Sequence, residues 1–148
     1  LSGILARGQS RLHGATLLLG AQTELPLLRK TLCDIGYRLA AERVAEADGR
    51  LYILMLALPA AEGAPPLTER ELLLGPCLVS DLPPAWAGWL TRRHALLQTA
   101  VAAMRGARGK SATDRLPALE RELAMTAEAL DALEHKAALA AHRGEASR

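Results

Sequence analysis

Two runs of apolar positions constrain this chain most. From Ala85, the residues Leu90, His94, Leu97, Val101 and Met104 step by four, three, four and three. Leu116, Leu119, Leu123, Thr126, Leu130, Leu133 and Ala137 then step by three and four without a slip. A seam of that period winds helices around one another. Gly106-Ala107-Arg108-Gly109-Lys110-Ser111 interrupts the pattern, and Ser111 or Thr113 can cap the second helix. A short break between two seams predicts an antiparallel coiled-coil hairpin over residues 83–148.

Residues 1–82 read differently. Ile4, Leu5 and Leu12 among Arg7, Gln9 and Arg11 suggest an amphipathic helix closed by Gly14. Ala15-Thr16-Leu17-Leu18-Leu19 is a continuous apolar run between Gly14 and Gly20, the pattern of a strand buried on both faces, as in a parallel sheet. Thr23 is a candidate N-cap for a helix carrying Leu25, Leu28, Leu32 and Ile35, and Gly36 ends it. Asp48-Gly49 between two strand-like runs, Tyr37–Val44 and Arg50–Ala57, is a hairpin signal. The second run is apolar on both faces, which predicts a central strand. After a Pro- and Gly-bearing loop, Thr68-Glu69-Arg70-Glu71 has the form of a capping box opening a short helix that Gly75-Pro76 terminates. Strand, helix and terminal hairpin make the tail end of an α/β sheet. Pro83-Pro84 marks the boundary with the helical hairpin.

Composition excludes several classes. Half of the 148 residues are apolar and the mean hydropathy is +0.09, so the chain is not disordered. Aromatic residues are 3%, limited to Tyr37, Tyr52, Trp86 and Trp89, too few for a stacking platform on single-stranded nucleic acid. Both tryptophans fall near the boundary and read as core there. Cys33 and Cys77 stand far apart, which argues against a disulfide framework or zinc site and for a reducing, cytoplasmic setting. No apolar run reaches the roughly 20 residues of a membrane helix. The start at Leu1, inside an apolar segment, reads as a cut.

Candidates for chemistry are few. Neither a dinucleotide-binding nor a P-loop glycine pattern occurs. Ser10, His13 and Asp34 have the residue types of a triad, but nothing positions them. The histidines, His94 on the seam included, have no ligand-like spacing, and no metal site is expected. Gly20, Ala21 and Gln22 leave the C-terminal end of the first strand, where open α/β sheets bind ligands. Gln22 could bond a substrate base there, or simply be solvated in a tight turn. The net charge of +2 hides an asymmetry: Arg92, Arg93, Arg105, Arg108 and Lys110 occur with no acidic residue between Leu82 and Thr113. They could neutralise nucleic-acid phosphates, or form a solvated face.

Several segments together resemble one family. Gly36-Tyr37, Glu42 and Asp48-Gly49-Arg50-Leu51-Tyr52 resemble its NGY…E…EDGKIYEI hairpin. Glu71-Leu72-Leu73-Leu74-Gly75-Pro76-Cys77-Leu78 resembles its EELLFGPxLL element, and a Pro-bearing entry into a helical hairpin comes next in both. This is the TrmK type of bacterial S-adenosylmethionine-dependent tRNA (adenine-N1)-methyltransferase. The resemblance implies the C-terminal part of a Rossmann-like methyltransferase sheet followed by a coiled-coil hairpin. It further implies methylation of adenine 22 of tRNA, with S-adenosylmethionine as cofactor and tRNA as partner. Two departures stand out. The family's N-terminal half, with its Gly-rich cofactor loop and acidic ribose-binding residue, has no counterpart in these residues. Its Gln-Pro-Asn after the strand is replaced by Gly20-Ala21-Gln22. No catalytic residue is therefore carried over, and the chain by itself is expected to be inactive. The alternative expectation is a non-catalytic α/β and coiled-coil interaction module; a self-standing small-ligand enzyme lacks a cofactor loop.

Overall fold

A computed structural model describes residues 1–12, 14–107 and 109–145. His13 of the triad set lies outside them, as does Arg108 of the basic set. The chain divides into two compact units, Leu1–Asp81 and Leu82–Arg148.

The first unit contains α1 (Ser2–Leu12), β1 (Leu17–Ala21), α2 (Leu25–Asp34), β2 (Tyr37–Ala47), β3 (Arg50–Pro59), α3 (Glu69–Leu74) and α4 (Pro76–Asp81). Asp48 and Gly49 both take positive φ, 51° and 69°, the geometry of a two-residue turn whose twist matches its flanking strands. That turn pairs β2 with β3 from Ala47↔Arg50 to Tyr37↔Pro59, with one irregularity at Leu39/Ala41. β3 also pairs with β1, so the sheet order is β1-β3-β2, all antiparallel, with β3 central as its apolar run predicts.

β1 corrects the expectation of a strand buried on both faces in a parallel arrangement. It runs antiparallel to β3 and its exposure alternates, with Leu18 at 74%. The reason is that the helices cover one face. Ile53, Met55 and Ala57 of β3 are sealed with Leu25, Leu28 and Leu32 of α2 and with Leu74 and Leu78. Leu18, Leu54 and Leu56 share the opposite face, because Leu18 pairs with Leu56 and Gly20 with Leu54.

Caps account for the helix ends. Thr68 accepts from the Glu71 N–H at 3.2 Å while Glu71 accepts from the Thr68 N–H at 2.8 Å, completing the anticipated capping box. α2 differs: its N-cap is Glu24, not Thr23, and no side chain bonds the helix start. Beyond Gly75 the chain enters α4 at once, with Pro76 at its first position. Six residues are too short for a visible apolar period, so α4 is not legible in the sequence.

The second unit is α5 (Trp86–Gly106) and α6 (Lys110–Glu145). Lys136 of α6 donates to the Leu82 carbonyl at 3.2 Å, whereas Arg105 pairs with Glu120, so the helices run antiparallel. On α5 the seam is as expected, with Leu90, Leu97 and Val101 buried. On α6 the expected seam holds at Thr126 and Leu133, which are buried, while Leu123 and Leu130 are half-buried and Glu122 and Ala129 complete the buried stripe. The helix begins at Lys110, so Ser111 and Thr113 lie inside it; the Thr113 hydroxyl donates back to the Gly109 carbonyl at 3.2 Å. Trp86 is fully buried and Trp89 half-buried.

Candidate functional site

The loop after β1 lines a cavity of about 170 Å³. Gly20, Ala21 and Gln22 all border it, so the structure brings these three residues together, and Thr23, Glu24 and Leu28 join them. The start of α1 contributes Leu1 and Ser2. Glu24 holds φ 54° and ψ 30°, a left-handed conformation that an ordinary residue adopts only when its surroundings impose it. The turn thereby presents the uncapped N-terminus of α2 beside the exposed Gln22. This cavity is smaller than the roughly 300–1,000 Å³ of ordinary small-molecule sites.

Beyond the loop lies a cluster that joins the two family-like motifs, Glu42 of the hairpin and Leu72, Leu73, Gly75 and Cys77 of the Glu71–Leu78 element, through Arg29. Arg29, fully buried on α2, donates from Nε to Glu42 Oε1 at 2.9 Å. Its Nη1 donates to the carbonyls of Leu72 and Leu73, at 2.7 and 3.2 Å. Glu42 Oε2 accepts from the Cys77 N–H at 3.0 Å. One ion pair thus fastens α2, β2, α3 and α4, and it satisfies the carbonyls orphaned at the end of α3. The clamp also requires Gly75, whose φ is 100°. A Cβ there would stand 2.5 Å from Glu42 Oε2 and 2.8 Å from Arg29 Nη2. For Arg29, which lies outside those motifs, the signal is an arginine inside the apolar stripe Leu25, Leu28 and Leu32, where a charge needs a partner.

Electrostatics remove the thiols from consideration as nucleophiles. Burial first, then the Glu42 and Asp81 carboxylates, push Cys77 up to about 11. Burial, followed by Asp34, raises Cys33 as well. Neither is a thiolate near neutrality. Burial lowers the Arg29 pKa, and Glu42 opposes that shift. Among the described residues no group of three His, Cys, Asp or Glu side chains could hold a metal.

The basic set divides in space. Arg93 donates from Nε to Glu122 at 2.7 Å and Arg105 donates to Glu120 from both Nε and Nη2, at 3.1 and 2.7 Å. Those acids come from α6, so the acid-free patch of the linear sequence is not acid-free in the fold. Arg92 and Lys110 are exposed and form no ion pair among the described residues.

A family model for tRNA (adenine(22)-N(1))-methyltransferases, TrmK, matches residues 1–128. The chain belongs to the TrmK family. The TrmK match extends through the whole sheet unit and into α6. Solved structures agree in fold. The Bacillus subtilis m1A22 tRNA methyltransferase TrmK superposes with a TM-score of 0.74 at 20% identity, over 87% of this chain and 57% of its own. A Streptococcus agalactiae protein of the NADB-Rossmann superfamily gives 0.72 at 23%, over 87% and 54%. A Streptococcus pneumoniae structure in complex with S-adenosyl-L-methionine gives 0.69 at 21%, over 88% and 54%. This chain therefore spans little more than half the length of these TrmK-like structures. No individually curated protein matches it. No helix among the described residues is long and apolar enough to cross a membrane.

Proposed function

We propose that this chain is the C-terminal part of an S-adenosylmethionine-dependent tRNA (adenine(22)-N1)-methyltransferase, supplying sheet scaffold beside the target base and a docking surface for tRNA. The observation that carries this reading is the family match, which covers the sheet unit and reaches into α6. The residues present do not fit the whole cofactor. The cavity of about 170 Å³ is small, and the sequence holds no glycine-rich nucleotide loop. What the loop suits is one edge of a base taken out of its stack. The exposed Gln22 amide offers a donor and an acceptor side by side, the pairing that adenine accepts. Gly20 and Ala21 keep the approach open.

Docking falls to Arg92 and Lys110, which form no ion pair among the described residues, while Arg93 and Arg105 serve first as struts between the helices. Arg108 of the sequence set, outside the described residues, is proposed to act with them. The test measures tRNA affinity of the 148-residue chain against salt. Arg92→Ala with Lys110→Ala flattens the slope of log K against log salt by roughly one per lost phosphate contact. An unchanged slope sinks the docking assignment. With S-adenosylmethionine and tRNA supplied, the chain alone transfers no methyl group; transfer above background would show it to be a complete enzyme.

A further inference from the structure

The hairpin of β2 and β3 outreaches β1. The last pair between β1 and β3 is Ala21↔Ile53, whereas β2 and β3 stay paired through Ala45↔Tyr52, Glu46↔Leu51 and Ala47↔Arg50. At about 3.3 Å per residue the hairpin projects about 10 Å past the end of β1, at the end of the sheet where Gln22 turns away. Continuing the β1–β3 register by one step sets Gln22 beside Tyr52, one strand spacing of about 4.8 Å away. Alternation gives Tyr52 and Arg50 the same face as the exposed Leu54. Across the hairpin on that face they meet Ala45 and Ala47, small side chains that leave the half-buried Tyr52 ring uncovered from that side. The ring makes no hydrogen bond or ring contact among the described residues. Glu42 and Glu46 belong to the other face, because they pair with Met55 and Leu51. Arg50 is exposed and forms no ion pair among the described residues. An open ring beside an unopposed cation suits a nucleic-acid base and its phosphate.

We infer that Tyr52 and Arg50 form a shelf for the nucleotide adjoining the one whose base edge Gln22 reads. The Tyr52 ring stacks on that base and the Arg50 guanidinium holds its phosphate. The inference rests on the reading of this chain as part of a tRNA methyltransferase. The neighbouring nucleotide, rather than the target, is the occupant because Tyr52 does not border the cavity that Gln22 borders. A base that leaves its stack uncovers the face of its neighbour. The Tyr52 ring covers that face in its place, which offsets part of the cost of extrusion. One ring suffices for one base, although four in the chain are too few for a platform along a single strand.

The test titrates the full 148-residue chain with tRNA that carries a fluorescent adenine analogue on one or the other side of adenine 22. The emission of such an analogue changes when its stacking partner changes. One of the two labels should respond on binding. Tyr52→Ala should abolish that response and weaken affinity by about tenfold, whereas Tyr52→Phe, which retains the ring, should keep both. Arg50→Ala should flatten the slope of log K against log salt by about one. Three results overturn the inference: neither label responds, Tyr52→Ala changes nothing, or Tyr52→Phe is as weak as Tyr52→Ala. Where Tyr52→Ala loosens the strand, the exposed Arg50 carries the test, and an unchanged slope there removes the shelf. A short single-stranded RNA with the same analogue separates the two readings. Binding that RNA as well as tRNA, with the Tyr52-dependent response intact, leaves the shelf and removes the tRNA reading. Salt-dependent tRNA binding that ignores both Tyr52 and Arg50 does the reverse, and no binding to either RNA removes both.

Discussion

Each unit holds an arginine–glutamate pair, and the two pairs do opposite jobs. Arg29–Glu42 is sealed, with both side chains at 0% exposure, and every bond it makes crosses between elements, over 13 to 44 residues of chain. Arg105–Glu120 lies in water, at 64% and 40% exposure, across a helix contact that apolar residues already close. Desolvation makes the difference. A buried charge must be met by a partner, so it dictates where the surrounding backbone goes. An exposed pair gains little over its hydration and dictates nothing.

The largest effect comes from breaking the sealed pair. Glu42→Gln leaves the Arg29 guanidinium buried without its counter-charge and should cost about 3–5 kcal/mol in denaturant unfolding of the sheet unit. A loss below about 1 kcal/mol would mean that water reaches the site. Gly75→Ala approaches the same cluster from the backbone side. Between its left-handed φ and the clash with Glu42, it should cost about 2–4 kcal/mol. Full stability in that variant would show that the α3–α4 turn relaxes freely, against the clamp. Arg105→Ala sharpens the other side, lowering stability by less than about 1 kcal/mol. A larger loss on chemical denaturation would make the hairpin's ion pairs structural, and the contrast would collapse.

Local signals in the sequence carried much of the fold. Asp48-Gly49 placed the hairpin, Thr68 and Glu71 placed α3, and the period of Leu90, Leu97 and Val101 placed α5. What stayed hidden depends on partners distant in the chain. Arg29 meets Glu42, Leu72 and the neighbourhood of Cys77 only after three elements have packed. The apparent run of unopposed cations ended once α6 folded back and set Glu120 and Glu122 beside Arg105 and Arg93. The one-sided burial of β1 was illegible for a related reason: an apolar strand reads alike whether or not a second helical layer lies on it. Of the candidate site, Gly20, Ala21 and Gln22 are placed by topology, while Glu24 gains its position from a backbone conformation that its residue type does not announce.

Pro117 lies inside α6, about two turns beyond Lys110. It has no N–H to give the Thr113 carbonyl, so the rung that would tie the first turn to the rest of the helix is missing. Lys110–Leu116 is therefore joined to the rest of α6 by one backbone bond fewer, and it is held in place by the burial of Ala112. At the end of the hairpin that carries Lys110, side-chain burial thus takes over a task that backbone hydrogen bonding performs along the rest of the helix.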